Sequence, residues 1–292
     1  RALGVLAASY QFLSRYEKAI VSFEQSLAIM AELKDKAGEL NRLNDLGTVY
    51  YSLNHYEKAI EYYEKVTQIR REFEDRTGEV RTLINLGAVY QVLGRYDKAV
   101  EINQMSLLIL REVKLRPQEG IVLNNLGEVY ELLSNSGIAI RHFEQALAIA
   151  RELKDRNKEA SRLSNLGNSY HSLRLYDNAI EHLEQALAIQ KEGKYRTEEG
   201  QTLVKLGRVL HSLKKYEKAV ELFNLASEIT GRRSHSTLPT CQNRTGTRKF
   251  PTVAKLCRRQ PETDRIIALR IGQPGITRCA FCRRPKFLSV VH

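Results

Sequence analysis

The sequence predicts an all-α solenoid of stacked antiparallel helix hairpins, and three observations predict it. Residues 1–231 repeat themselves at a period of 40 with no insertion or deletion, the mark of a chain built from stacked units. Each unit holds two runs of apolar residues at helical spacing, separated by a short break. Small residues return at one fixed place in each run, where two helices have to come close.

The columns establish the period. Leu46-Gly47 returns as Leu86-Gly87, Leu126-Gly127, Leu166-Gly167 and Leu206-Gly207, with Leu6-Ala7 in the first copy. Tyr10, Tyr50, Tyr90, Tyr130 and Tyr170 lie a helical turn further on, and Leu210 closes that column. A second block begins Tyr16-Glu17-Lys18-Ala19-Ile20 and returns at 56–60, 96–100, 176–180 and 216–220; only 136–140, Ser-Gly-Ile-Ala-Ile, departs from it.

In the unit at 81–120 the first run, helix A, has Leu83, Leu86, Val89, Tyr90 and Leu93 on one face. After Gly94-Arg95 the second run, helix B, carries Tyr96, Ala99, Val100, Met105, Leu107, Leu108 and Leu110. The charged, mostly glycine-containing segments 34–38, 74–78, 114–120, 154–159 and 194–200 read as turns. Gly47, Gly87, Gly127, Gly167 and Gly207 are expected to admit a neighbouring helix, and Ala59, Ala99, Ala139, Ala179 and Ala219 to do the same where B crosses A. The tyrosines beside them fill the remaining space. One hairpin has too little core to stand alone; stacking buries its other faces, so stability is a sum over neighbouring units.

Charge divides the chain at the end of the repeats. Of 46 Lys and Arg, 14 lie in 231–292 beside only Glu262 and Asp264, whereas the first 230 residues carry 32 basic and 32 acidic side chains. The whole net charge of +12 therefore belongs to the last segment. Cys241, Cys257, Cys279 and Cys282 and five of the six prolines lie there too. We expect two regions, an array at 1–231 and a basic tail at 232–292. No signal-like segment opens the chain and no run approaches 18 apolar residues, so no membrane insertion or secretion is expected and a cytoplasmic location is the default. The chain opens at Arg1 partway through a unit, which suggests a fragment or a processed product.

The blocks LGTVY, LGAVY, LGEVY and LGNSY, with Ala59 and the large Tyr63 after them, resemble the tetratricopeptide repeat family over about 1–231. The 40-residue unit is similar to the long-repeat arrays of Pins/LGN adaptors, kinesin light chains and many bacterial proteins. Tryptophan is absent, and Arg71 and its equivalents stand where that family ends a helix with proline. The resemblance implies a right-handed superhelix whose concave groove holds a peptide or helix of a partner protein. It places in that groove Asn44, Thr48, Tyr51 and Ser52; Arg81, Ile84, Ala88 and Gln91; Asn124, Glu128 and Glu131; Ser164, Asn168 and His171; and Arg208 and His211. The competing reading of each is a solvated helix face. Asn85, Asn125 and Asn165 either hydrogen-bond an extended backbone or bridge adjacent repeats. Thr48/Ser52, Ala88/Val92 and Asn168/Ser172 do not supply the Lys and Asn of a two-carboxylate clamp, so chaperone-tail binding is not expected.

Nothing in the repeats reads as an enzyme: no glycine-rich phosphate loop follows a strand and no nucleophile motif is present. His171 with His211, and His142 with His182, sit one repeat apart, roughly 10 Å between helices, too far to share a metal without a third group. No cofactor, metal or small-molecule substrate is expected. The tail admits three readings. Cys279 and Cys282 have zinc-knuckle spacing, with Cys241, Cys257 or His292 as distant partners. Its cations could attach to nucleic acid or another acidic surface, although only Phe250, Phe281 and Phe287 offer stacking. The third is a disordered or irregular segment, or one not native to this array. The functional expectation is a non-enzymatic scaffold, with nucleic-acid binding through the tail, or a regulatory fragment of a larger signalling protein, as the alternatives.

Overall fold

The computed structural model describes residues 2–231, which form twelve α-helices and no strand. In chain order these are α1 (Ala2–Phe12), α2 (Tyr16–Glu32), α3 (Lys36–Ser52), α4 (Tyr56–Glu72), α5 (Arg76–Val92), α6 (Tyr96–Glu112), α7 (Arg116–Leu132), α8 (Ser136–Glu152), α9 (Arg156–Ser172), α10 (Tyr176–Glu192), α11 (Arg196–Ser212) and α12 (Tyr216–Gly231). Odd-numbered helices are the A helices and even-numbered ones the B helices. The readings placed on 232–292, the zinc element, the basic surface and the irregular or non-native tail, lie outside the described residues.

Each helix packs on the next in sequence, and α3, α5, α7, α9 and α11 also touch one another directly, A on A. No pair of B helices does so to the same extent. The A layer is therefore the tighter side of the stack. Buried clusters join hairpins: Val80 and Leu83 of α5, Leu107 and Leu110 of α6, Val122, Leu123 and Leu126 of α7 and Ile149 of α8 share one core. Each column glycine faces the residue sixteen positions on, in its own B helix: Tyr63, Asn103, Phe143, Leu183 and Phe223 for Gly47, Gly87, Gly127, Gly167 and Gly207. The close approach is thus made within the hairpin. Ala59, Ala99, Ala139 and Ala179 have no exposed surface and Ala219 almost none.

The connections are shorter than the charged segments suggest. Helices are separated by three residues, as at 33–35 and 153–155, and residues 36–38, 76–78 and their equivalents already form the first turn of an A helix. Capping explains this. Asp35, Asp75 and Asp155 accept the backbone N–H of Gly38, Gly78 and Lys158, satisfying a donor that the helix start leaves orphaned. At the preceding helix end the chain turns through a left-handed residue, Lys34, Glu74, Lys114, Lys154 or Lys194, each with φ of 54–58°. The Asp35 N–H then bonds Met30 O at 2.9 Å and the Lys34 N–H bonds Ala31 O at 3.1 Å, the paired bonds of a Schellman end.

A buried carboxylate braces three of these corners. Glu119 accepts Arg111 Nε of the preceding B helix at 3.0 Å and Arg116 Nη1 at 2.7 Å. Glu159 accepts Arg151 Nε and Arg156 Nη1 at the same distances, and Glu79 is held by Arg71 and Arg76. Arg116 Nη2 also reaches Glu152 at 2.7 Å, tying the start of α7 to the end of α8 within one hairpin. Arg71 thus has a structural task where the resemblance would place a helix-ending proline.

Candidate functional site

The tighter A side collects the variable positions, and four of them meet. Gln91 from α5, Glu128 and Glu131 from α7, and Asn168 from α9 line one cavity of about 370 Å³ with Asn165, Leu132 and Phe143. Successive A helices present the same face there, so residues 37 to 77 positions apart become neighbours. Arg81 and Ile84 line a second cavity of about 450 Å³ between the starts of α5 and α7, with Asp75, Gly78, Asn85 and Gln118 among its walls. A larger space of about 860 Å³ lies between the α10–α11 turn and α12.

Other expected groove residues are spent on the stack. Asn44, Asn124 and Ser164 are buried. Asn85 Nδ2 reaches Asn44 Oδ1 at 3.5 Å and Asn165 Nδ2 donates to Asn124 Oδ1 at 3.0 Å, so these amides bridge adjacent repeats. Ser164 Oγ pairs with Thr202 Oγ1 at 3.0 Å. Thr48 Oγ1 turns toward Tyr63 Oη of its own hairpin at 3.0 Å, and the Tyr51 ring tilts against Tyr56. Ser52 Oγ donates to Thr48 O. Ala88 is half-buried, while Arg208 and His211 stay exposed on α11, His211 edge-on to Tyr216.

Histidines serve packing. His142 stacks on Tyr130 at 5.4 Å and His182 tilts against Tyr170 at 5.0 Å. His171 Nε2 bonds Ser212 Oγ of the next repeat at 2.9 Å, and burial together with Arg208 lowers its pKa. Among the described residues no three His, Cys, Asp or Glu gather as a metal site, and no helix is long and apolar enough to cross a membrane.

Lys205 is the residue the sequence reading passed over. Its ammonium donates to Ser164 O, Ser164 Oγ at 3.0 Å and Asn165 Oδ1 at 3.1 Å. Burial pulls its pKa down to about 8 against the opposing pull of Glu128. The available signal was its column: Asp45, Asn85, Asn125 and Asn165 precede it, and those amides already marked the seam.

Two carboxylates line the cavity. Glu128 Oε1 accepts Asn124 Nδ2 at 2.7 Å and Asn165 Nδ2 at 3.4 Å. Glu131 Oε2 accepts Ser172 Oγ at 3.4 Å, while its Oε1 is buried without a hydrogen-bond partner. Arrangement of this kind suits reversible capture of a polar side chain; no nucleophile with an adjacent base accompanies it.

The tetratricopeptide repeat model matches residues 1–72, 79–152 and 159–230. No curated protein sequence matches the chain. Among solved structures, BtubC (BKLC) from P. vanneervenii is similar at a TM-score of 0.68 and 23% identity, over 81% of this chain and 98% of that one. A Rap protein complexed with Competence and Sporulation Factor gives a TM-score of 0.60 at 14% identity, over 80% and 75%. The STAND protein PH0952 from Pyrococcus horikoshii, with its tetratricopeptide repeat sensor, gives 0.65 at 20% identity, over 81% and 36%. At these identities the likeness is one of fold.

Proposed function

Because this chain belongs to the tetratricopeptide repeat family, we propose that it is a non-enzymatic scaffold that holds a peptide or helix of a partner protein along its A-helix face. The observation that carries the reading is the cavity in which Gln91, Glu128, Glu131 and Asn168 converge from three successive A helices. Core columns repeat from unit to unit, whereas these four residues come from two columns that vary, Ala8, Thr48, Ala88, Glu128, Asn168 and Arg208 in one and Gln11, Tyr51, Gln91, Glu131, His171 and His211 in the other, as recognition by a shared frame requires. The Rap structure, which holds Competence and Sporulation Factor, supports such a use of the fold. An array at 1–231 acting in the cytoplasm, with 232–292 as a separate basic segment, belongs to the same reading.

Site-specific photo-crosslinking tests it. A benzoylphenylalanine placed at Gln91 or Asn168 of the full chain, in its native host, is expected to trap a discrete protein adduct, and one at the exposed B-helix position Glu101 or Glu144 is not. Equal adducts from both faces would remove the reading. The cationic segment 232–292 supports a second one, attachment to nucleic acid. That contact would weaken steeply with salt and vanish on deleting the segment, leaving the adducts at Gln91 and Asn168 unchanged.

A further inference from the structure

We propose that the cavity between α5, α7 and α9 takes the cationic side chain of an arginine or lysine in the partner segment; this rests on the groove reading above and names the chemistry it selects. The two carboxylates of the cavity stand apart from the other recessed acids of the A helices. Glu79, Glu119, Glu159 and Glu199 are each paired with at least one arginine. Glu128 and Glu131, one helical turn apart on α7, form no ion pair among the described residues. Only neutral amides and a hydroxyl bond to them directly, at Glu128 Oε1 and Glu131 Oε2, which fixes their orientation without placing a cation in contact. Lys205 and Arg162 act on Glu128 only from beyond ion-pair distance; the three protons of Lys205 go to Ser164 and Asn165.

Glu131 Oε1 is buried and has no hydrogen-bond partner among the described residues. A buried acceptor left unmet is costly, and a cationic donor meets it best. Leu132 and Phe143 give the same cavity apolar wall, which suits the methylene stem of a long basic side chain. Gln91 and Asn168 add amide oxygens able to accept its remaining protons. An acidic side chain would face two carboxylates, and a purely apolar one would leave Glu131 Oε1 unmet.

Selection of a random twelve-residue peptide display library on the full chain, run in parallel on wild type and on Glu128→Gln/Glu131→Gln, tests the inference. We expect the wild-type pool to converge on a basic residue. A peptide from it should bind wild type about tenfold or more tightly than the double variant. Replacing its arginine by citrulline, or its lysine by acetyl-lysine, should cost a similar factor on wild type and little on the variant. Thermal melting of the variant, expected to match wild type, separates lost recognition from lost folding. If the selected peptides are displaced by Asn168→Trp, yet carry no basic preference and bind both proteins equally, the cation pocket is wrong and the groove reading stands. If they are indifferent to Asn168→Trp as well, or if neither protein enriches any sequence, both fall.

Discussion

Gly127 lies under the ring of Phe143, so that a β-carbon built on Gly127 would come 2.5 Å from Phe143 Cε1. Phe143 is 1% exposed, and its ring would have to shift to admit the methyl. Gly127→Ala should therefore destabilise the array by about 1–3 kcal/mol in urea unfolding. Gly137→Ala serves as the contrast, since nothing lies within 4 Å of the added carbon in the first turn of α8. It should be neutral or stabilise by up to about 1 kcal/mol.

Left-handed residues at the helix ends give a second prediction. Lys154, at φ 54°, holds a conformation that glycine adopts more easily, and Gly94 occupies the equivalent kind of position at φ 70°. Lys154→Gly is expected to stabilise by about 0.5–1 kcal/mol and Gly94→Ala to destabilise by about 1 kcal/mol. Chemical denaturation of the two single variants checks the opposite signs.

The corner clasp gives a third. Glu159 is 9% exposed and receives two arginines. Glu159→Gln should cost about 1–2 kcal/mol, because a charge-assisted pair becomes a neutral one. Removing Arg151 and Arg156 together should cost more than Glu159→Gln, since a recessed carboxylate then loses both partners. Hydrogen exchange at the start of α9 is the local readout.

Alkaline pH separates the two phenols Tyr63 and Tyr90 from Lys205. Burial raises the Tyr63 and Tyr90 phenols from 10.0 to about 12, so the folded chain holds these protons more tightly than the unfolded one. Their contribution is complete below pH 10 and is lost as pH rises through 12. Tyr63→Phe should flatten that loss, at a cost of about 1 kcal/mol near neutrality for the bond to Thr48. Lys205 has the opposite slope: with its pKa lowered from 10.5 to about 8, its contribution is full above pH 10.5 and diminishes as pH falls through 8. Measured against Lys205→Met, wild type should gain relative stability between pH 8 and 10.5.

What the sequence determined by itself is the period, the two helices per unit and the core columns. Each is a local property read in up to six copies: Leu46, Leu86, Leu126, Leu166 and Leu206 fall on one face by helical spacing, and all are buried. The tertiary structure decided which polar residues are seam and which are surface. Asn44 and Asn124 sit at groove-facing positions in the pattern, yet they are bonded to Asn85 and Asn165 one repeat away. The clasp at Glu159 depends on how tightly the three-residue corner folds, which brings Arg151 within reach across eight positions. The cavity joins Gln91 to Asn168 because A helices touch along the tighter side of the stack. That packing is a sum of contacts between hairpins, and no periodicity within one hairpin contains it.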